Sequence, residues 1–343
     1  MTAAPQVGAA IDVPAVLGRC RALVDPALRG AVARLDPTSA ARSAYHLGFT
    51  DADGAPVRGG GKALRPAVTL LAAQACGGDA APAVPGAVAV ELVHNFSLVH
   101  DDLIDGDAER RHRPTVWARW GAASAVLTGD AMLALATEVL LEAGGSAAAL
   151  LLATTVRELV GGQVADVAFV DRDDVGVDEC LAMAHGKTGT LLGAAAEIGA
   201  VLADAPAAYR AALRTFGAEL GLAFQLVDDL LGIWGDPAVT GKPVLADLRE
   251  RKKSLPVTAT LTHGGRAGRE LAAWLASPAD HAADDLALRR AAALVEAGGG
   301  RAWAEAEARR RLTAAGAALD ELPDSPARAE LHALAHHLAH REA

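Results

Sequence analysis

Two groups of carboxylates interrupt stretches of sequence that otherwise belong in a core. The first closes the run Glu91-Leu-Val-His-Asn-Phe-Ser-Leu-Val-His with Asp101, Asp102 and Asp105. The second, Asp228 and Asp229, follows Leu220-Gly-Leu-Ala-Phe-Gln-Leu-Val, with Asp236 a little further on. On a helix Asp101 and Asp105 lie one turn apart on a shared face, which His94 and Ser97 continue inward. Like charges stacked at that spacing repel, so a purely structural helix gains nothing from them. They make sense around hard divalent cations, which take oxygen ligands, although a solvated helix end is the plainer reading of any one such motif. The two groups stand 127 positions apart, too far for local pairing. Two core helices that both end in acids imply one cavity lined by opposing carboxylates, which with metal bound would hold an anion.

Cations recur beside both groups. The segment Arg58-Gly-Gly-Gly61-Lys62-Ala-Leu-Arg65-Pro66 sets Lys62 and Arg65 after a flexible turn. Glycines there let the backbone approach an oxyanion, and Lys and Arg supply charge and forked donors. The segment is not a P-loop, because the order G-x-x-x-x-G-K-[ST] is absent. Arg110, Arg111 and Arg113 follow the first acidic group; others occur in His185-Gly-Lys187-Thr188-Gly189, at Lys242 and in Arg249-Glu-Arg251-Lys252-Lys253. Any single one reads equally well as solvated surface. Their recurrence beside the acids of a chain with formal net charge −10 is what points to a bound anion.

The elements that must position these residues are helical. The chain has 343 residues, 52% hydrophobic and 22% charged, which supports a large core and excludes overall disorder. Ala and Leu, strong helix formers, dominate, while aromatics are 3%; an all-β fold is excluded. The negative net charge disfavours a nucleic-acid partner. Cys20, Cys76 and Cys180 fit neither a disulfide framework nor a zinc site, so a reducing cytoplasm is expected. The N-terminus lacks the basic start and apolar core of a signal peptide. The most apolar stretch, 143–156, is too short to cross a bilayer and is broken by Gly144-Gly145, so no integral membrane segment is expected. Residues 1–12 read as a flexible tail and 50–61 as a loop feeding a helix that starts near Lys62 or Pro66. Ala/Leu/Val segments predict helices over 86–105, 121–143, 146–170, 177–203, 206–233 and 251–262, with further amphipathic helices beyond 264 that carry no assignable motif. No 20–50-residue repeat suggests a solenoid. The expected fold class is all-α, a single helical bundle over 13–343 with inward-facing polar sites.

Taken in order, GGGKALRP, ELVHNFSLVHDDLID with RRHRPT, GKTG, and FQLVDDLLGIWGD with GKPVLADLRERKKSLP resemble the trans-isoprenyl diphosphate (polyprenyl) synthases, more narrowly the geranylgeranyl diphosphate synthases of actinobacterial type. The match runs from about 58 to 256. The resemblance implies the all-helical isoprenoid synthase type I fold around a deep central cavity, usually in a homodimer. It implies head-to-tail joining of isopentenyl diphosphate to allylic diphosphates (dimethylallyl, geranyl, farnesyl), with release of diphosphate. Carried over residue by residue, it makes Asp101 and Asp105, supported by Asp102, and Asp228, beside Asp229, the metal-binding acids. Arg110, Lys187 and Lys242 then hold the allylic diphosphate, with Lys252 close by and Lys253 its adjacent alternative. Lys62, Arg65, His94 and Arg111 match the isopentenyl diphosphate site, and Thr188 and Gln225 line the reacting carbon chain. Asp101, Asp105, Asp228, Lys187 and Lys242 are thereby the expected catalytic set. The implied cofactor is Mg2+, three ions per site, with Mn2+ as substitute. Magnesium keeps several waters and prefers one or two carboxylates plus substrate phosphates, so an acid-lined cleft suits it. The second motif departs from the family's DDxxD at Gly232, for which retained activity with altered metal affinity is expected. A metal-binding HD phosphohydrolase would need further His ligands beyond His100-Asp101. A type I terpene cyclase lacks the Lys62, Arg65 and His94 set, and a weak regulatory subunit would usually have lost the first acidic motif.

Product length is expected to follow from positions before Asp101. A helix rises 1.5 Å per residue, so Ser97 and Phe96 lie roughly 6–7.5 Å deeper. Ser97 is small and nearly on the face of Asp101, while Phe96 flanks it and can form part of a floor. A single deeper aromatic, with no insertion in Asp101-Asp-Leu-Ile-Asp105, resembles the C20-forming pattern. Geranylgeranyl diphosphate is the expected main product and farnesyl diphosphate the alternative.

Overall fold

Helix boundaries fall where the sequence supplies caps and breakers. A computed structural model of the chain describes residues 11–57, 61, 63–235, 244–277 and 284–339. Helix α1 (Val13–Val32) begins where the Asp12 side chain accepts from the Ala15 amide, and α2 (Pro37–His46) where Asp36 accepts from Thr38 and Ser39. Helix α3 (Leu64–Ala75) follows, then a 3-10 turn at Ala81–Ala83 and α4 (Val84–Asp105). Gly106, in the left-handed region at φ 73°, stops α4 immediately after Asp105. A minimal hairpin pairs β1 (Glu109–Arg110) with β2 (Arg113–Pro114). The remaining helices before the second acidic group are α5 (Val116–Trp120), α6 (Ala122–Glu142), α7 (Ser146–Val170), α8 (Val177–Ala184), α9 (Thr190–Leu202) and α10 (Ala207–Trp234). A π turn at His185–Gly189 joins α8 to α9. After it come α11 (Ala246–Arg249), α12 (Leu255–His263), α13 (Gly265–Leu275), α14 (Asp285–Ala297), α15 (Gly300–Leu319) and α16 (Pro326–Ala339).

The main core wraps α3 and α9, which are buried on nearly every face, and takes in α1, α4, α6, α7, the first half of α10 and α16. A second cluster, including Cys180, Leu226, Leu255 and Ala304, joins α8, α10, α12 and α15 under the second acidic group. A third, around Ile233, Val257, Leu271 and Val295, ties the end of α10 to α12–α14. The central helices touch backbone to backbone. A Cβ on Gly199 would lie 2.1 Å from the Thr69 carbonyl oxygen, and one on Gly217 would lie 2.3 Å from that of Leu192.

The fold is all-α, with one hairpin and one isolated bridge, Thr50 with Pro56, among the described residues. Three expectations change. Residues 1–10 lie outside the described residues, and Asp12 belongs to the cap of α1 rather than to a tail. The helix expected over 251–262 begins at Leu255: Arg251 sits at φ 54°, and Ser254 occupies the cap with Pro256 in the first turn, where its missing N–H is tolerated. The region 177–203 is helical but contains the π turn. By length and apolarity alone, 81–105 and 122–142 could cross a membrane, with 61% and 39% of their most apolar windows buried. The first is a core helix that delivers Asp101 and Asp105, and the second is half of an exposed apolar face described below.

Gly217→Ala should therefore destabilise the protein by about 1–3 kcal/mol, the usual penalty of overpacking. Gly18→Ala, in α1 with open space around its Cβ position, should stabilise by about 0.5–1 kcal/mol. Thermal melting checks both, and an unchanged midpoint for Gly217→Ala would contradict the close crossing.

Candidate active site

The π turn places the central cation. Within it the Thr190 N–H reaches back five residues to the His185 carbonyl, and the widened turn packs against α7 and α10; such turns occur often at functional sites. Glycines make room. A Cβ on Gly162 of α7 would lie 2.4 Å from the Lys187 amide nitrogen, and one on Gly221 of α10 would lie 2.7 Å from the Gly189 Cα. The glycines of the GKTG segment and their partners thus serve helix approach. Lys187 Nζ lies 3.1 Å from Asp101 Oδ1 and donates to Asp166 Oδ2 at 2.7 Å. Thr188 Oγ1 donates to Gln225 Oε1 at 2.9 Å, and Gln225 Nε2 donates to Asp229 Oδ1 at 2.8 Å.

Helices α4, α7 and α10, the π turn and residues 252–255 enclose a cavity of about 670 Å³. Asp101, Asp105, Asp166 and Asp228 line it together with Lys187 and Lys252; Arg65, His94, Arg110 and Arg111 form another part of the wall, and Phe96, Leu159, Val160 and Phe224 an apolar part. Burial and repulsion from Asp101 raise the Asp105 pKa. Although burial opposes their charge, Asp101 and Asp166 hold the Lys187 ammonium above its ordinary value, and Asp229 and Asp247 do the same for Lys252. Arg65 Nε, Gln163 Nε2 and Ser254 Oγ, all on this wall, are buried without a hydrogen-bond partner. Buried polar atoms are rarely left so, and three around one cavity mark it as built for a polar ligand.

The second aspartate of each pair does something different. Asp102 is fully buried and faces away from the acids. Its Oδ1 accepts from Arg110 Nε at 2.6 Å, and Oδ2 has no partner. Burial lifts its carboxyl to about 6 despite Arg110. It lines a separate pocket of about 250 Å³ with Tyr45, His46, Arg110, Arg111 and Arg113. Support of a metal by Asp102 does not match this placement, because position 102 is turned a third of a helical turn from 101; its geometric role is to hold Arg110. Asp229 lines the cavity, yet both its oxygens are engaged, Oδ1 by Gln225 and Oδ2 by the Leu255 N–H at 2.8 Å, which caps α12.

Arg111 and His112 form the hairpin turn with φ of 53° and 60°. Such two-residue turns normally use Asn-Gly, and each non-glycine residue held there costs about 1–3 kcal/mol. The strained turn carries Arg111 to Gly61, whose Cβ would lie 3.1 Å from Arg111 Nη2. Arg65 Nη1 lies 3.2 Å from His94 Nε2. Burial, then Arg65 and Arg111, push the His94 pKa well below its ordinary value, so its imidazole is neutral. Arg65, His94 and Arg111 thus converge at one end. Lys62 and Lys242 lie outside the described residues. Of the alternatives at 252 and 253, Lys252 lines the cavity; Lys253 donates to the Phe169 carbonyl at 2.7 Å and ties down the end of α7. A Cβ at Gly232 would lie 2.5 Å from the Asp247 carboxyl carbon, so the departure at this position accommodates Asp247. Sequence reasoning missed Asp166 and Gln163. Their signal was present: two polar residues three apart in Gly161-Gly-Gln163-Val-Ala-Asp166, in the otherwise apolar stretch of α7 after Glu158.

Among the described residues no three acid, His or Cys side chains converge as a closed metal cage. Asp101, Asp105 and Asp228 instead offer oxygen donors around open space, which fits a hard cation that completes its shell with water and phosphate oxygens.

Residues 54–291 match the profile of the polyprenyl synthetase family. The (2E,6E)-farnesyl diphosphate synthase of Mycobacterium tuberculosis (strain ATCC 25618 / H37Rv) is 56% identical over 335 residues, covering 96% of this chain and 93% of the relative. The geranylgeranyl diphosphate synthase of the same strain is 46% identical, with 96% of each chain covered. The crystal structure of a polyprenyl synthetase from Streptomyces coelicolor A3(2) superposes with a TM-score of 0.89 at 50% identity, covering 95% of this chain and 99% of that one.

The two members of the second acidic pair should separate experimentally. Asp229→Ala strands the Leu255 N–H and should cost about 1–3 kcal/mol of stability, whereas Asp228→Ala should not lower the melting temperature. Equal destabilisation would contradict the division of roles.

Proposed function

The chain belongs to the polyprenyl synthetase family and is a trans-prenyltransferase; on that premise we propose that it joins isopentenyl diphosphate to dimethylallyl, geranyl and farnesyl diphosphates, releasing diphosphate and giving mainly geranylgeranyl diphosphate. The observation that carries this reading is a single cavity with two differently built anion ends. One sets Lys187 and Lys252 among the acids; the other sets Arg65, His94 and Arg111 without acids on the cavity wall. A cyclase acting on one diphosphate has no use for the second end.

Asp101, Asp105 and Asp228 would hold Mg2+, which when bound supplies Lewis-acid stabilisation of the charge on the departing diphosphate. Lys187 and Lys252 add fixed positive charge beside that diphosphate, preorganised by their own aspartate partners. Arg65, neutral His94 and Arg111 hold the second diphosphate, so the isopentenyl double bond lies against the allylic carbon. Thr188 and Gln225, locked by Asp229, flank the reacting chain. The departing diphosphate accepts the proton lost from the isopentenyl unit.

Geranylgeranyl length is supported by the wall below Asp101. Ser97 folds its hydroxyl back onto the His94 carbonyl at 2.8 Å and leaves space, while Phe96 borders the cavity more deeply. Farnesyl diphosphate is the second reading, favoured by the higher identity to the farnesyl diphosphate synthase, 56% against 46%. We also propose a homodimer. Leu127 and Leu141 on α6 and Leu150 on α7 are exposed, and apolar side chains standing out on neighbouring helices fit a second copy. Light scattering should give twice the chain mass, and a monomer at micromolar concentration would contradict it.

With labelled isopentenyl diphosphate and each allylic primer, EDTA should abolish turnover, and Asp101→Asn should lower kcat by about 10²-fold or more. Arg65→Ala should raise KM for isopentenyl diphosphate by about 10- to 150-fold, the worth of a charge-assisted hydrogen bond, with a much smaller change for the primer. Near-normal turnover of folded Asp101→Asn, or equal KM effects on both substrates, would contradict the assignment.

A further inference from the structure

Below the acids, two rings of α4 pack edge to face: Phe96 and His100, with centroids 5.0 Å apart and planes at 76°. Both line the cavity beside Ser97. His100 leans against α6, with Nε2 3.1 Å from the Val126 carbonyl oxygen and 3.8 Å from Asp130 Oδ1. It can do so because residue 129 is glycine. A Cβ there would lie 2.2 Å from His100 Nε2 and 2.5 Å from Cδ2. Nonbonded heavy atoms settle at 3.5–4.0 Å, so any side chain at 129 forces the ring back by roughly 1 Å or more. The α6 backbone stands behind the ring and Phe96 at one edge, which leaves the cavity as the open volume. Gly129 itself is a helix away from the acids and from Arg65, His94 and Arg111.

We propose that Gly129 is a specificity-determining position for product length. By letting the Nε2 edge of His100 rest against the α6 backbone, it keeps open the part of the cavity beside Ser97 that the apolar tail of a long allylic diphosphate occupies. His100 is the moving wall, and Gly129 positions it. The inference rests on the reading that prenyl chains grow down this cavity, and it adds a determinant on α6 to the one expected on α4 at Phe96 and Ser97.

The test is chromatography of dephosphorylated products made from isopentenyl and dimethylallyl diphosphates by wild type, Gly129→Ala, His100→Ala and the double variant, with melting curves for each. Gly129→Ala should keep the first condensation and shift the main product at least one isoprene unit shorter. The ratio of long to short product should fall by about 10-fold or more, the discrimination that a methylene-sized intrusion gives in an apolar pocket. The double variant, in which the displaced ring is gone, should restore the wild-type length or exceed it, an outcome that a general loss of packing would not give. If Gly129→Ala does not fold, His100→Ala alone reads the same wall and should lengthen the product. Wild-type product length in folded Gly129→Ala, no restoration in the double variant, or no lengthening in His100→Ala overturns the inference while leaving the prenyltransferase reading intact. A wild type that adds no isopentenyl unit overturns both.

Discussion

Lys187, held between Asp101 and Asp166, is the interaction on which the rest of the site depends. Asp101 and Asp105 sit one turn apart at the end of an apolar helix, and their mutual repulsion has no relief within that helix. The ammonium that relieves it comes from another helix through a π turn, and that turn fits only because Gly162 and Gly221 let neighbouring backbones approach. Helix crossings, turn geometry and the charge at the centre of the cavity are thus one constraint. It also explains why the acids do not form a closed metal cage: part of their charge is already matched by lysine, and the donors that remain face open space.

The second end of the cavity is built on the opposite principle. Arg65, Arg111 and neutral His94 concentrate positive charge and polar nitrogens with few acids near them, Glu91 being the carboxylate that most offsets Arg65. Holding Arg111 there uses two left-handed non-glycine residues in a two-residue hairpin, a conformation sustained only where the surrounding structure fixes it. On the proposed reading, one end takes its anion together with divalent cations, whereas the other takes one directly. That asymmetry suits two diphosphates that play different parts in one reaction.

Much of this was legible in the sequence. The all-α class followed from composition, and the segment order identified the family. Gly106 and the run before Asp101 fixed where the first acids stand. The division within each aspartate pair was not legible, because Asp102 and Asp229 differ from their neighbours in partners that only the folded arrangement presents: Arg110 on the first strand of the hairpin in one case, the start of α12, with Gln225 one turn back, in the other. The π turn was hidden because 177–203 reads as one continuous helix until α7 and α10 press against the glycines of GKTG. Gly232 looked like a lost carboxylate and proves to be the space that Asp247 needs. Asp166 was readable by the rule applied to Asp101 and Asp105, an acid on an apolar helix, but it lies in no run of acids.

If one cavity carries two anion ends of which only one depends on a divalent cation, the two ends must respond differently to metal. Calorimetric titration of the intact protein with inorganic diphosphate, with and without Mg2+, tests it most directly. Two binding events are expected in Mg2+, of which one vanishes in EDTA and in Asp101→Asn, while the other persists in both and is lost in Arg65→Ala. A single event, or two that respond identically to metal, would contradict it.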